Sequence, residues 1–195
     1  MRNREPVTHS IFDTFPTLET PRLLLRRIVP ADATAWLKVW TNPDVMRYLA
    51  GFEGDQATIN DMNGLVSWAD GIYLQETGLR WAITLKPDDT LIGSCGFHLY
   101  SAANRCAEIG YELNRDYWRQ GIMAEAVTTM LRFGFGPMNL HRIEANVTEG
   151  NEASAGLLRH LGFTHEGSWR EKEYLRGRWH DLWQFGLLED EFTLL

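Results

Sequence analysis

Ala107-Glu108-Ile109-Gly110-Tyr111-Glu112-Leu113-Asn114-Arg115-Asp116-Tyr117-Trp118-Arg119-Gln120-Gly121-Ile122-Met123-Ala124-Glu125-Ala126 is the stretch on which the fold turns. Its first third alternates, with Ile109, Tyr111 and Leu113 on one side and Glu108, Gly110 and Glu112 on the other, the pattern of a strand. From Met123 onward, Ala126, Val127, Met130 and Leu131 recur at helical spacing. A strand therefore passes through a short turn into a helix, with Gly121 at its mouth. The first amides of a helix have no partner within it, and the aligned peptide dipoles place partial positive charge there. Such a mouth can hold a phosphate or pyrophosphate.

Working outward, residues 1–20 show no sustained period and contain Pro6 and Pro16, which predicts a poorly structured arm or a packed N-terminal extension. Arg22 to Ile28 reads as a first strand, and Asp32 is placed to cap a helix running to about Thr41. Asn42-Pro43 restarts the chain into a short helix that Gly51 and Gly54 break, and a further helix spans Asp55 to about Ala69. Leu79 to Leu85 and Thr90 to Leu99 form a hairpin, followed by the strand at Arg105 to Leu113. After the helix from Ile122 to about Phe135 come a strand at His141 to Val147, a helix stopped by Gly162, and a hairpin from Ser168 to Leu188. Strands outnumber crossover helices. The expected class is therefore α+β: a mixed, mostly antiparallel central sheet of about seven strands flanked by helices.

A chain of 195 residues with 44% hydrophobic and 23% charged residues fits one soluble domain with a real core. The organisation expected is an extension at 1–20, a domain at 21–188 and a tail at 189–195. A net charge of −7 argues against non-specific nucleic-acid binding. Trp36, Trp40 and Trp68 accordingly read as core and pocket lining, not as a base-stacking platform. Cys95 and Cys106 sit in apolar, strand-like settings, which suggests buried thiols in a reducing compartment. With no signal-like or membrane-spanning run, the expected location is cytoplasmic, with no membrane partner. The six histidines have no metal spacing, no Cys-x-x-Cys pair occurs, and no metal is expected. Gly-x-Ser-x-Gly is absent, and Gly134-Phe135-Gly136 lacks the third glycine of a dinucleotide fingerprint.

Read from the residues alone, Asn151 is a helix cap and Ser154 a small buried residue one turn on, in line with Leu158 and Leu161. Glu108 and Glu112 share the polar side of their strand. Glu173 lies in the charged run Arg170-Glu171-Lys172-Glu173, which also suits ordinary surface.

Tyr117 to Ala126, followed at a distance by Asn151-Glu152-Ala153-Ser154 and Leu161-Gly162-Phe163, resembles the GCN5-related N-acetyltransferase (GNAT) family. The likeness is strongest to its ribosomal-protein N-terminal acetyltransferase branch and spans roughly Thr20 to Leu188. It implies an acyl-CoA N-acyltransferase fold. It implies also that Arg119, Gln120, Gly121, Ile122, Met123 and Ala124 hold the pyrophosphate of acetyl-CoA. Gly121 fits the family pattern, while Trp118 and Met123 stand where an Arg or Gln and a small residue are usual. The backbone at Leu113 would meet the cofactor and its thioester, Asn151 would bond the pantetheine, and Ser154 would sit near the sulfur. Glu112 and Glu173 are rival general bases, Glu173 by its hairpin position. The expected reaction is direct transfer of acetyl to a primary amine, a protein N-terminus or a small amine. A non-catalytic acyl-CoA-binding module is the alternative. Whether the C-terminal hairpin serves a homodimer stays open.

Overall fold

Antiparallel neighbours account for every strand pair but one in the computed structural model, which describes residues 10–49 and 57–193. The strands are β1 (Leu18–Glu19), β2 (Leu23–Arg27), β3 (Leu79–Leu85), β4 (Leu91–Ser101), β5 (Cys106–Leu113), β6 (Arg142–Thr148), β7 (Thr164–Leu175) and β8 (Arg178–Leu188). They make one sheet in the order β1-β2-β3-β4-β5-β6-β8-β7, and only β5 and β6 run parallel. The described helices are α1 (Ala33–Trp40), α2 (Pro43–Met46), α3 (Ile59–Leu74), α4 (Ile122–Phe135) and α5 (Glu152–His160). The expected mixed, mostly antiparallel sheet is present, with eight strands where about seven were expected.

The extra strand, β1, lies within the segment expected to be an arm or an extension. Leu18 and Glu19 pair with Leu25 and Leu24. Ahead of them, Phe12 and Phe15 stack against Tyr73, the Tyr73 hydroxyl donates to Phe12 O (2.7 Å), and Trp81 Nε1 donates to Pro16 O (2.7 Å). Aromatic burial and satisfied backbone carbonyls hold residues 10–20 down without any periodicity in the sequence.

Each sheet face carries its own core. On one, Ile109 and Leu113 of β5 meet Ile122, Ala126 and Met130 of α4 and Leu158 of α5. Gly134 permits the close approach of α4, since a Cβ there would stand 2.7 Å from the Phe97 ring and 3.0 Å from Ile143. On the other face, Trp36, Val39 and Met46 pack with Met62 and Val66 of α3 over Ala82 and Leu91.

Two helix starts differ from expectation. Asp32 does not cap α1; its carboxylate accepts from Val29 N–H (2.9 Å) and from Arg26 (2.8 and 2.9 Å), closing the 3-10 turn Pro30–Asp32 that leads into the helix. The strand cation outcompetes the helix amides for this acid. For α3, Thr58 and Asp61 form a reciprocal cap, and the helix continues past Ala69 to Leu74. Gly51, Gly54 and Asp55 lie outside the described residues. Trp68 is also a correction: it is 41% exposed, beneath the Arg80 guanidinium, whereas Trp36 is fully buried.

Candidate active site

The parallel pair β5–β6 breaks off early. Cys106, Ala107 and Glu108 register with Arg142, Ile143 and Glu144, and there the pairing ends. Ile109 to Leu113 and Ala145 to Thr148 diverge into a fork. On the far side of β5, Asn114 N–H donates to Ile92 O (2.8 Å). Antiparallel ladders alternate, so the Leu113 amide faces the fork. The Leu113 carbonyl also faces it and accepts from Trp118 Nε1 (2.8 Å).

Beside the fork, the turn into α4 carries two left-handed residues, Arg119 (φ 61°) and Gly121 (φ 73°). Glu125 N–H makes the first helical bond, to Gly121 O (3.0 Å), so the amides of Ile122, Met123 and Ala124 lie ahead of any helical acceptor. Arg22 braces this mouth by donating to Gln120 O (3.0 Å) and Glu125 Oε2 (2.6 Å), while the Thr20 hydroxyl donates to Glu125 Oε1 (2.5 Å). Burial raises the Glu125 pKa, but Thr20 and Arg22 outweigh it and hold this carboxyl below the usual range. Met123 packs partly into the apolar core, which explains how a long side chain stands where a small one is usual.

The third wall is the first turn of α5. Asn151 Oδ1 accepts from Ser154 N–H (3.2 Å), the expected capping geometry. The Ser154 hydroxyl lies 2.9 Å from the Tyr111 hydroxyl, so the two side chains span the fork. Burial pushes the Tyr111 phenol up to about 12, with the Ser154 bond pulling the other way, so it keeps its proton throughout the neutral range.

These three walls and α2 enclose a cavity of about 530 Å³. Of the residues singled out from sequence, Glu112, Leu113, Arg119, Gly121, Ile122, Met123, Ala124, Asn151 and Ser154 all line it. Gln120 and Glu173 are not in its wall. The Gln120 side chain turns back to donate to Asp116 O (3.0 Å). Glu173 Oε2 accepts from the Thr148 hydroxyl (2.7 Å), which also lies within reach of Tyr48 O (3.3 Å), and Tyr48 is in the wall.

Glu112 is 5% exposed and crowded with donors. Trp36 Nε1 (2.7 Å) and Ser94 Oγ (2.5 Å) donate to one of its oxygens, and Arg80, itself buried, donates to the other. Glu108 likewise serves neighbours, bonding His98 (3.1 Å) and accepting from Asn146 (2.8 Å). Among the described residues, no group of three or more His, Cys, Asp or Glu is placed to hold a metal ion, and no helix is long and apolar enough to cross a membrane.

Tyr111, Arg22 and Arg80 are site residues that the sequence reading did not single out, and Trp118 entered it only as a departure from the motif. Tyr111 was visible only as one of three inward strand residues. Its bond to Ser154 joins positions 43 apart, and no local pattern signals that.

A sheet forked beside an open helix mouth, with a cavity between them, defines the class: an acyl-CoA N-acyltransferase fold. The chain belongs to the GNAT acetyltransferase family, whose acetyltransferase (GNAT) domain matches residues 22–164. It is 38% identical over 167 residues to the uncharacterized N-acetyltransferase YoaA of Bacillus subtilis (strain 168), covering 86% of this chain and 93% of the relative. It is 31% identical over 177 residues to the [ribosomal protein uS5]-alanine N-acetyltransferase of Escherichia coli (strain K12), covering 84% and 86%. Among solved structures, a GNAT-family acetyltransferase from Bacillus anthracis superposes with a TM-score of 0.78 at 27% identity, over 90% of this chain and all of that one. Mycobacterium smegmatis RimJ in complex with CoA-disulfide has the same fold, with a TM-score of 0.80 at 24% identity over 92% and 88% of the two chains. Family, fold and enzyme class expected from the sequence all hold.

Proposed function

We propose that this N-acetyltransferase moves an acetyl group from acetyl-CoA to a primary amine by direct attack, and that the acceptor is the α-amine of a polypeptide. The observation that carries this is the fork: it opens onto an unpaired strand amide at Leu113 and adjoins an open helix start at Gly121. Acetyl-CoA supplies the activated acetyl thioester. The amides of Gly121, Ile122, Met123 and Ala124 suit its pyrophosphate, with Arg119 and Gln120 forming the turn that aims them. The Asn151 side chain keeps its amide NH2 for the pantetheine arm while its oxygen caps α5.

Oxyanion charge that gathers on the thioester during attack is met by the Leu113 amide, already fixed by the ladder on its other side. The proton to be removed is not demanding, because an α-amine has a reference pKa of about 7.7–8.0. Between the two rival bases, the geometry favours Glu173. Its one described hydrogen bond is to the Thr148 hydroxyl, whereas three donors occupy the Glu112 carboxylate. Glu112 is then a brace for β5. Ser154, in the cavity wall, is placed to meet the departing sulfur. Holding amine and thioester in line supplies most of the rate. The relative that acetylates the alanine of ribosomal protein uS5 supports a polypeptide acceptor.

The test is incubation with acetyl-CoA and two peptides, one with a free N-terminus and one Nα-blocked but carrying lysine, followed by thiol release and mass gain. Release with the free N-terminus alone is expected. Release with neither peptide, nor with small amines, despite CoA binding would mark a non-catalytic acyl-CoA-binding module.

A further inference from the structure

We infer that Tyr111 is a positioning residue that turns the Ser154 hydroxyl proton toward the sulfur of the departing coenzyme; this rests on the acetyl-CoA reading above. The two hydroxyls are 2.9 Å apart across the fork, and both side chains line the cavity. A hydroxyl has one proton to give and lone pairs to receive. A phenol is the more acidic partner, so Tyr111 donates and Ser154 Oγ accepts. Ser154 is thereby left with its own proton free, and the bond it receives polarises that proton further. The Ser154 amide is already committed to Asn151, which fixes the backbone from which the hydroxyl projects.

In the reaction, the amine nitrogen forms the N–C bond and the C–S bond breaks with its electron pair on sulfur. The amine proton leaves through the base to solvent, and sulfur departs as a thiolate that accepts a hydrogen bond from Ser154. Neither hydroxyl ionises. Tyr111, pushed up to about 12 by burial, lies well above a thiol near 8.5, so it orients and does not protonate.

The experiment compares wild type, Tyr111→Phe and Ser154→Ala, with CoA itself as the probe. Calorimetry reads CoA and desulfo-CoA affinity, and the ultraviolet absorbance of the bound thiolate reads its titration without turnover. Besides Tyr111 itself, the charged and titratable groups around the cavity (Asp44, Arg47, Tyr48, Glu112, Tyr117, Arg119 and Glu152) are common to all three proteins and cancel in the comparison. Both variants should hold about tenfold less thiolate at a given pH, the scale of one charge-assisted hydrogen bond. They should lose about tenfold in kcat with little change in KM for acetyl-CoA, and desulfo-CoA should bind all three alike. The inference is overturned if the bound thiol titrates identically in Tyr111→Phe and wild type. It is overturned too if desulfo-CoA affinity falls along with that of CoA, which would mark a packing role. Failure of wild type to bind CoA would instead sink the acetyl-CoA reading and this inference with it.

Discussion

Removing the Glu112 carboxylate decides between a brace and a base. In Glu112→Ala, the Arg80 guanidinium (8% exposed), Trp36 Nε1 and Ser94 Oγ lose their shared acceptor. Breaking one side of a buried ion pair costs about 3–5 kcal/mol, mostly from the charge left behind. For a chain of this size each kcal/mol lowers Tm by about 2–4 °C, so a fall of about 6–20 °C is expected. Urea unfolding followed by tryptophan fluorescence measures the loss directly. Glu112→Gln retains an acceptor oxygen and should lose less. Replacing the pair with apolar residues, Glu112→Leu with Arg80→Met, should recover much of the deficit because no charge is stranded. The reasoning fails if Glu112→Gln keeps wild-type stability while losing turnover together with the acidic limb of its pH profile. That pattern belongs to a proton acceptor.

Three further outcomes follow from the same geometry. Gly121→Glu places a carboxylate and a side chain at a φ of 73° on the helix mouth, and should abolish calorimetric binding of acetyl-CoA; unchanged affinity would refute the pyrophosphate assignment. Because the Glu125 pKa is depressed in the fold, its contribution to stability is present above the unfolded carboxylate value and is lost as pH falls through the folded one. Glu125→Gln should therefore show a smaller drop in stability than wild type on acidification from about pH 5, read from urea midpoints across pH. Cys95 is fully buried, with its thiol pushed up to about 12 by burial, whereas Cys106 is half-buried; a thiol-disulfide reagent at neutral pH should react with one cysteine in the folded protein and two in denaturant.

Elements with a strong local signature were legible in the chain. The helix expected from Ile122 to about Phe135 occupies those residues, and Gly162 (φ 92°) takes the left-handed conformation expected after α5. What stayed illegible depends on distant partners. Asp32 looks like a cap until Arg26 is seen to claim its carboxylate, and Glu112 looks like a strand-edge acid until Arg80 arrives from β3. The segment before β2 has no period because two isolated aromatics, Phe12 and Phe15, converge on Tyr73 from an irregular chain instead of forming a stripe. Trp118 read as a departure from a motif, yet its indole closes the carbonyl of Leu113, a contact that nothing in the local spacing announces.

Only three residue pairs stitch β5 to β6, so the sheet is two plates joined along a short seam. The plate from β1 to β5 carries the amide at Leu113 and leads directly into the mouth of α4, whereas the plate from β6 to β8 carries Glu173 and the exposed terminal hairpin. The cavity wall is split across that seam, with Leu113 and the mouth of α4 on one side and Asn151 and Ser154 on the other, so a chimera exchanged there would keep its cavity only if it kept the angle between the plates.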